Sequence, residues 1–80
     1  MGLNLKADAD IDFVGLPHVR PASLIGEVLK SIKMGHFLKV RTENPEVKEE
    51  IHRWVERAGQ EIGGVEEEGK AWNIYIKKIH

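Results

Sequence analysis

Apolar and polar residues alternate along four stretches of the chain, and in two others the apolar residues recur every three or four positions. Alternation is typical of a strand with one buried face, and the longer spacing is typical of an amphipathic helix. The pattern predicts strands over 9–14, 36–42, 60–65 and 71–79, and helices over 21–34 and 45–58. The predicted order is therefore β-α-β-α-β-β.

Proline, glycine and asparagine mark the boundaries of these segments. Pro21 suits a first helical turn, because its missing N–H is not needed there, and Gly35 suits the C-terminal cap of the same helix. Asn44-Pro45 is a similar start for the second helix. Gly63-Gly64 interrupts the third strand and indicates a β-bulge, after which residues 66–70 read as a charged turn.

Two amphipathic helices and four half-buried strands predict an α/β fold of the two-layer α+β sandwich type. We expect a mixed four-stranded sheet with both helices on one face. Strands covered on both faces read as continuous apolar runs, so the alternation predicts that the other face is open. The length fits one domain, 1–80, with residues 1–7 as a loose N-terminal segment. The large apolar residues expected between helices and sheet include Leu29, Ile51, Trp54, Trp72 and Ile74.

Composition narrows the possible functions. The net charge of −1 lacks the basic excess that phosphate binding favours, so nucleic acid is not the expected partner. No apolar run approaches the roughly 20 residues of a membrane helix, and the start of the chain lacks the features of a secretion signal. A cytoplasmic location is therefore expected. The chain has no cysteine, which excludes disulfides, thiolate metal sites and cysteine nucleophiles.

Metal binding is weakly indicated. Asp8, Asp10 and Asp12 resemble the start of a calcium loop, but Phe13 and Val19 stand where that loop needs glycine and glutamate. A solvated strand face explains the three aspartates better. The four histidines also lack the close spacing in sequence that is typical of metal ligands; they are His18, His36, His52 and His80. We expect neither a metal nor a cofactor.

Catalysis by a serine nucleophile is also weakly indicated. Ser23, His18 and Asp12 supply a nucleophile, a base and an orienting carboxylate, but no nucleophile-elbow sequence surrounds Ser23. Ser23 is better explained as a polar residue of the first helical turn. Trp54 and Trp72 lie on the predicted buried stripes, so we expect them to pack in the core rather than stack on a ligand.

One strand pattern faintly resembles an RNA-binding sheet. Tyr75 is predicted on the open sheet face with Asn73, Lys77 and Arg41. Base stacking on a sheet needs several exposed aromatic residues, and Phe37 is the only other candidate. RNA binding is therefore kept only as a minor alternative.

The loop before the first helix reads Asp12-Phe-Val-Gly-Leu-Pro-His-Val-Arg-Pro21. It resembles the Asp-x-x-Gly-Leu-x-Cys-Pro-x-Pro motif of the TusA-like sulfur-carrier family, also called SirA-like or YedF-like. Gly15 and Leu16 hold the central motif positions. The resemblance continues over residues 8–79 and implies the same two-layer fold. Its further matches are Asn44-Pro45, Glu50-Ile51, Trp54, Gly59 and Lys77-Lys78.

The departure from the family motif falls on its chemistry. In the family, the motif cysteine accepts a persulfide sulfur and passes it to a partner protein; here His18 and Val19 replace the Cys-Pro pair. Imidazole cannot carry sulfane sulfur, so the resemblance implies a member without sulfurtransferase activity. The positive field of a helix N-terminus disfavours imidazolium, so a mostly neutral His18 is expected, with Arg20 adding a nearby cation.

Three hypotheses follow from the resemblance. The first is a non-catalytic protein-interaction or regulatory module related to sulfur-relay pathways. The second is a sulfur-relay or tRNA-thiolation component that binds the family's partners while another protein supplies the thiol. The third is a small-anion or RNA-binding module at the start of the first helix. The partner and the oligomeric state are left open. The candidate site, which contains no catalytic residue, comprises Asp12, Gly15, Leu16, His18, Arg20 and Pro21.

Overall fold

A computed structural model describes residues 5–16 and 20–80 of the chain. It confirms the predicted order of elements and the two-layer α+β fold. The strands form one mixed sheet in the order β1-β2-β4-β3, in which β1 and β2 are parallel and the other two pairings are antiparallel. The elements are β1 (Ala7–Asp12), α1 (Pro21–Leu29), β2 (Phe37–Thr42), α2 (Pro45–Arg57), β3 (Glu61–Glu68) and β4 (Ala71–Lys77).

The core lies between the two helices and one face of the sheet. Its central layer comes from β2 and β4, where Val40 is in register with Ile74 and both side chains are fully buried. Burying an aliphatic side chain of this size stabilises the fold by about 1.5–3 kcal/mol. The other fully buried aliphatic side chains are Ile25, Leu38, Ile51 and Ile76.

The two tryptophans pack against this core but are only half-buried, whereas the sequence predicted substantial burial. The Cζ2 atom of Trp54 lies 3.7 Å from the position that a Cβ on Gly26 would take, so this indole joins α2 to α1. The Nζ of Lys48 lies over the Trp72 ring, 5.5 Å from the ring centroid. Each indole therefore packs partly against the core and keeps part of its surface exposed.

The first helix is shorter than predicted. It ends at Leu29 rather than Met34, because the amides of Ser31 and Ile32 bond to carbonyls three residues back, at 3.0 and 3.1 Å, and tighten the chain. Gly35, with φ of +84°, sits in the turn before β2 instead of capping α1. β1 also starts and ends two residues earlier than predicted. Neither helix in the described part of the chain is long and apolar enough to cross a membrane.

The last two strands form a tighter hairpin than predicted. β3 continues to Glu68, so the predicted charged turn shrinks to Gly69 and Lys70, with Gly69 at φ of +63°. The register shifts between Ile62 and Gly64, which confirms the predicted bulge. β3 therefore presents a longer edge than the sequence indicated.

Candidate functional site

The segment between β1 and α1 starts with a turn built on Asp12. One carboxylate oxygen accepts a hydrogen bond of 2.9 Å from the amide of Val14, and the other lies 3.7 Å from Nη1 of Arg41 on β2. The amide of Phe13 also donates to the carbonyl of Arg41, at 2.8 Å. Asp12 therefore fixes the direction in which the chain leaves the sheet.

Gly15 and Leu16 complete this turn. Gly15 has a φ of +80°, which lies in the left-handed region that glycine adopts without strain. The amide of Leu16 donates to the carbonyl of Phe13 at 3.2 Å, and the Leu16 side chain is 53% exposed. The turn thus presents an apolar side chain to solvent.

α1 begins after Arg20, which is exposed and occupies the N-cap position. Pro21 is buried at the first helical position. Arg20 provides no side-chain acceptor for the free amides of the first turn, so the positive field of the helix end is not offset by a cap from that residue. Leu24 lies on the outer side of α1 and is 43% exposed.

The structure places five of the six predicted site residues at one end of the molecule, where β1 ends and α1 begins. The sixth, His18, lies outside the described residues together with Pro17 and Val19. Leu24 was missed as a candidate. Its signal in the sequence is an apolar residue directly beside, and not on, the stripe formed by Ile25 and Leu29.

The open face of the sheet does not offer the stacking platform of the RNA-binding alternative. Tyr75 is only 6% exposed and Asn73 is fully buried. The Nδ2 of Asn73 donates to Glu66 on β3 at 3.1 Å. Arg41 reaches across β4 to within 3.8 Å of Glu68. The expectation that this sheet face is open to solvent is therefore wrong at Tyr75 and Asn73.

Two histidines outside the loop, His36 and His52, interact with neighbouring residues of the fold. Nδ1 of His36 lies 2.8 Å from a carboxylate oxygen of Asp8, which links the start of β2 to β1. On α2, burial lowers the pKa of His52 below its usual value of 6.5, and the nearby Lys48 lowers it further while Glu49 opposes the shift. Among residues 5–16 and 20–80, no three histidine or carboxylate side chains gather into a metal-binding group.

Comparison with known families assigns the chain. A family model described as "Sulfurtransferase TusA" matches residues 10–78. The chain belongs to the TusA family. The match covers the Asp12 turn, the exposed Leu16 and the start of α1, so the resemblance found in the loop extends to the whole fold. The chain contains no cysteine, so it lacks the motif cysteine that the resemblance places at His18.

Two relatives bear the name "Putative sulfur carrier protein". The protein from Aquifex aeolicus is 31% identical over 75 residues, which are 94% of this chain and 38% of that protein. The protein from Archaeoglobus fulgidus is 30% identical over 53 residues, which are 66% of this chain and 73% of that protein. The chain thus spans well under half of the Aquifex relative, and most of the Archaeoglobus one.

Proposed function

We propose that this TusA-family domain is a non-catalytic protein-interaction or regulatory module of a sulfur-relay pathway. One observation carries the proposal: the loop keeps the family's turn residues, while His18 stands at the position of the persulfide-carrying cysteine and no other cysteine is available. Persulfide transfer requires a thiolate, which imidazole cannot replace. The domain can therefore engage a relay partner without accepting its sulfur.

The residues that would engage the partner lie around the loop. Leu16 and Leu24 are exposed apolar side chains on the turn after β1 and on α1, and the exposed Arg20 at the N-cap of α1 adds a positive charge. We call Leu16, Arg20 and Leu24 the loop surface. Exposed apolar side chains beside an arginine are common at protein contacts, where arginine is enriched. The expected partner surface combines an apolar depression with a carboxylate.

A competition assay tests this function. A cysteine desulfurase, labelled cysteine and a cysteine-containing TusA-family acceptor are incubated with increasing amounts of the 80-residue chain. The labelling rate of the acceptor should fall in a saturable way, since both domains use the same desulfurase surface. Stable label on the cysteine-free chain, or an unchanged acceptor rate, would show that the proposal is wrong.

Matched variants locate the contact. Leu16→Asp should relieve the competition, because a carboxylate replaces an exposed apolar side chain of the loop surface. Met34→Asp makes the same kind of change at an exposed methionine before β2, at the opposite end of the sheet, and should compete like the unmodified chain. Equal effects of the two variants would rule out the loop surface as the docking site.

A further inference from the structure

The free edge of β3 is a second candidate interaction surface. β3 is the outer strand on the side of the sheet away from β1, and it is eight residues long. Within the described ranges 5–16 and 20–80, no strand pairs with its outer side. The unpaired N–H and C=O groups along such an edge can bind another strand.

An apolar strip runs beside this edge on the helix-facing side of the sheet. Val65 is in register with the buried Ile74, yet it is 37% exposed. Ile62 on β3 and Trp72 on β4 are also only half-buried there. An added strand would place alternate side chains against this strip, since successive residues of a strand point to opposite faces.

The charges along β3 decide between possible occupants. Glu61, Glu67 and Glu68 are exposed, and they lie toward the two ends of the strand. If two copies of β3 paired in antiparallel fashion about their centres, Glu61 of one copy would face the Glu67–Glu68 end of the other. Like charges opposite each other destabilise strand pairs, whereas opposite charges stabilise them. The edge therefore disfavours a second copy and favours a basic strand.

We propose that the outer edge of β3 binds an extended, basic segment of a partner protein by strand addition. An apolar side chain of that segment lies against Val65, and basic side chains lie near Glu61 and Glu68. The site lies on the sheet, away from the loop surface, and does not depend on the proposed role in sulfur relay. The domain can then hold two protein segments at once.

A blocked heptapeptide of alternating lysine and valine serves as the probe, with the ¹⁵N-labelled 80-residue chain as the target. Binding should shift the amide resonances of residues 61–68 and slow their hydrogen exchange. Two further peptides carry N-methyl groups on the odd or on the even amides. A strand donates to its neighbour from one edge only, so one methylated peptide should bind like the parent and the other about tenfold more weakly.

Several results would overturn the proposal. These are no response of the β3 amides at millimolar peptide, equal binding of both methylated peptides, and shifts centred on the loop surface. Protection of β3 amides that rises with the concentration of the chain alone would assign the edge to a second copy. If the chain does not compete in the desulfurase assay, the result expected for β3 is unchanged. The two proposals can therefore fail independently.

A charge reversal provides the matched control. Glu68→Lys should weaken the parent peptide about threefold to tenfold, because an ion pair with the peptide is replaced by repulsion. The variant also loses the surface contact of Glu68 with Arg41, 3.8 Å away. Glu27→Lys makes the same change in net charge on the exposed side of α1, where Glu27 pairs only at the surface with Lys30, 3.3 Å away. An equal loss of peptide affinity in both variants would show that overall charge causes the effect, and the proposed site would then be wrong.

Discussion

Lys78 donates a hydrogen bond of 2.7 Å from its Nζ to the carbonyl of Leu29. Leu29 is the last residue of α1, and its carbonyl accepts from Lys78 in addition to the 3.1 Å hydrogen bond from the amide of Ile32. A lysine at this end also meets the negative end of the helix dipole. The second residue of the Lys77-Lys78 pair, which resembles the family's terminal basic pair, therefore caps α1.

Lys78→Met should lower the free energy of unfolding by about 1–2 kcal/mol, because it keeps the aliphatic stem but leaves the Leu29 carbonyl without its charged donor. Urea unfolding followed by tryptophan fluorescence measures the change. Lys77→Met is the control. Among the described residues, the hydrogen bond to the end of α1 comes from Lys78 and not from Lys77. A similar loss in both variants would contradict the capping role.

Truncation at Ile74 should cost about 2–5 kcal/mol for Ile74→Ala and about 0.5–1.5 kcal/mol for Ile74→Val, because the side chain is fully buried at the centre of the sheet. The larger loss approaches the whole folding free energy of a small domain, so the valine variant gives the measurable value. Met34→Ala, at an exposed residue, should change the midpoint little. An unchanged midpoint for Ile74→Val would contradict the core described above.

Stability should fall as the pH drops below about 6.5, through the pKa of His52 in the unfolded chain. The folded state lowers this pKa, chiefly by burial, so the unfolded chain binds the proton more readily. The contribution of His52 is complete above its unfolded pKa and is lost toward its folded pKa. Urea midpoints between about pH 5 and pH 7.5 measure the slope. His52→Gln should flatten it; a steeper slope in that variant would refute the assignment.

His18→Cys tests whether the family's site lacks only its thiol. The N-terminus of α1 and Arg20 should lower the pKa of the new thiol below the roughly 8.5 of free cysteine, so it should alkylate faster at neutral pH. We nevertheless expect poor sulfur transfer from a desulfurase, because Val19 replaces the family's motif proline. Ser31→Cys, beyond the other end of α1, is the control and should show no acceleration. Efficient transfer by His18→Cys would show that Val19 does not prevent transfer, and would favour the second hypothesis, a sulfur-relay component for which another protein supplies the thiol.

The periodic pattern was sufficient for the order of elements and the helix-facing side of the sheet, but not for the ends of segments. Ile32 continues the stripe of α1 and is buried, so periodicity extended the helix past Leu29. The tightening of the chain and the bond from Lys78 that stop it are tertiary features. Residues 66–68 belong to the edge strand β3 but were predicted as a turn, because three consecutive charged residues do not show the alternation typical of a strand.

The sequence also identified the residues at the loop but not how much of each is accessible. Alternation assigned Tyr75 to the open face correctly, yet coverage by neighbouring side chains is set by their length and direction across the sheet. The same limitation applies to Leu24, whose exposure depends on the orientation of α1 against the sheet. Residue type and spacing therefore predict a face, while accessibility follows from packing.

The position of β4 has a consequence for how the domain is assembled during synthesis. β4 comes last among the described strands but lies between β2 and β3 and pairs with both. A nascent chain that has not yet released residues 71–77 from the ribosome contains β2 and β3 with no strand to join them, and half of the central core layer is missing. Folding of this domain therefore waits until β4 has left the ribosome, and incomplete chains expose the surfaces that chaperones bind.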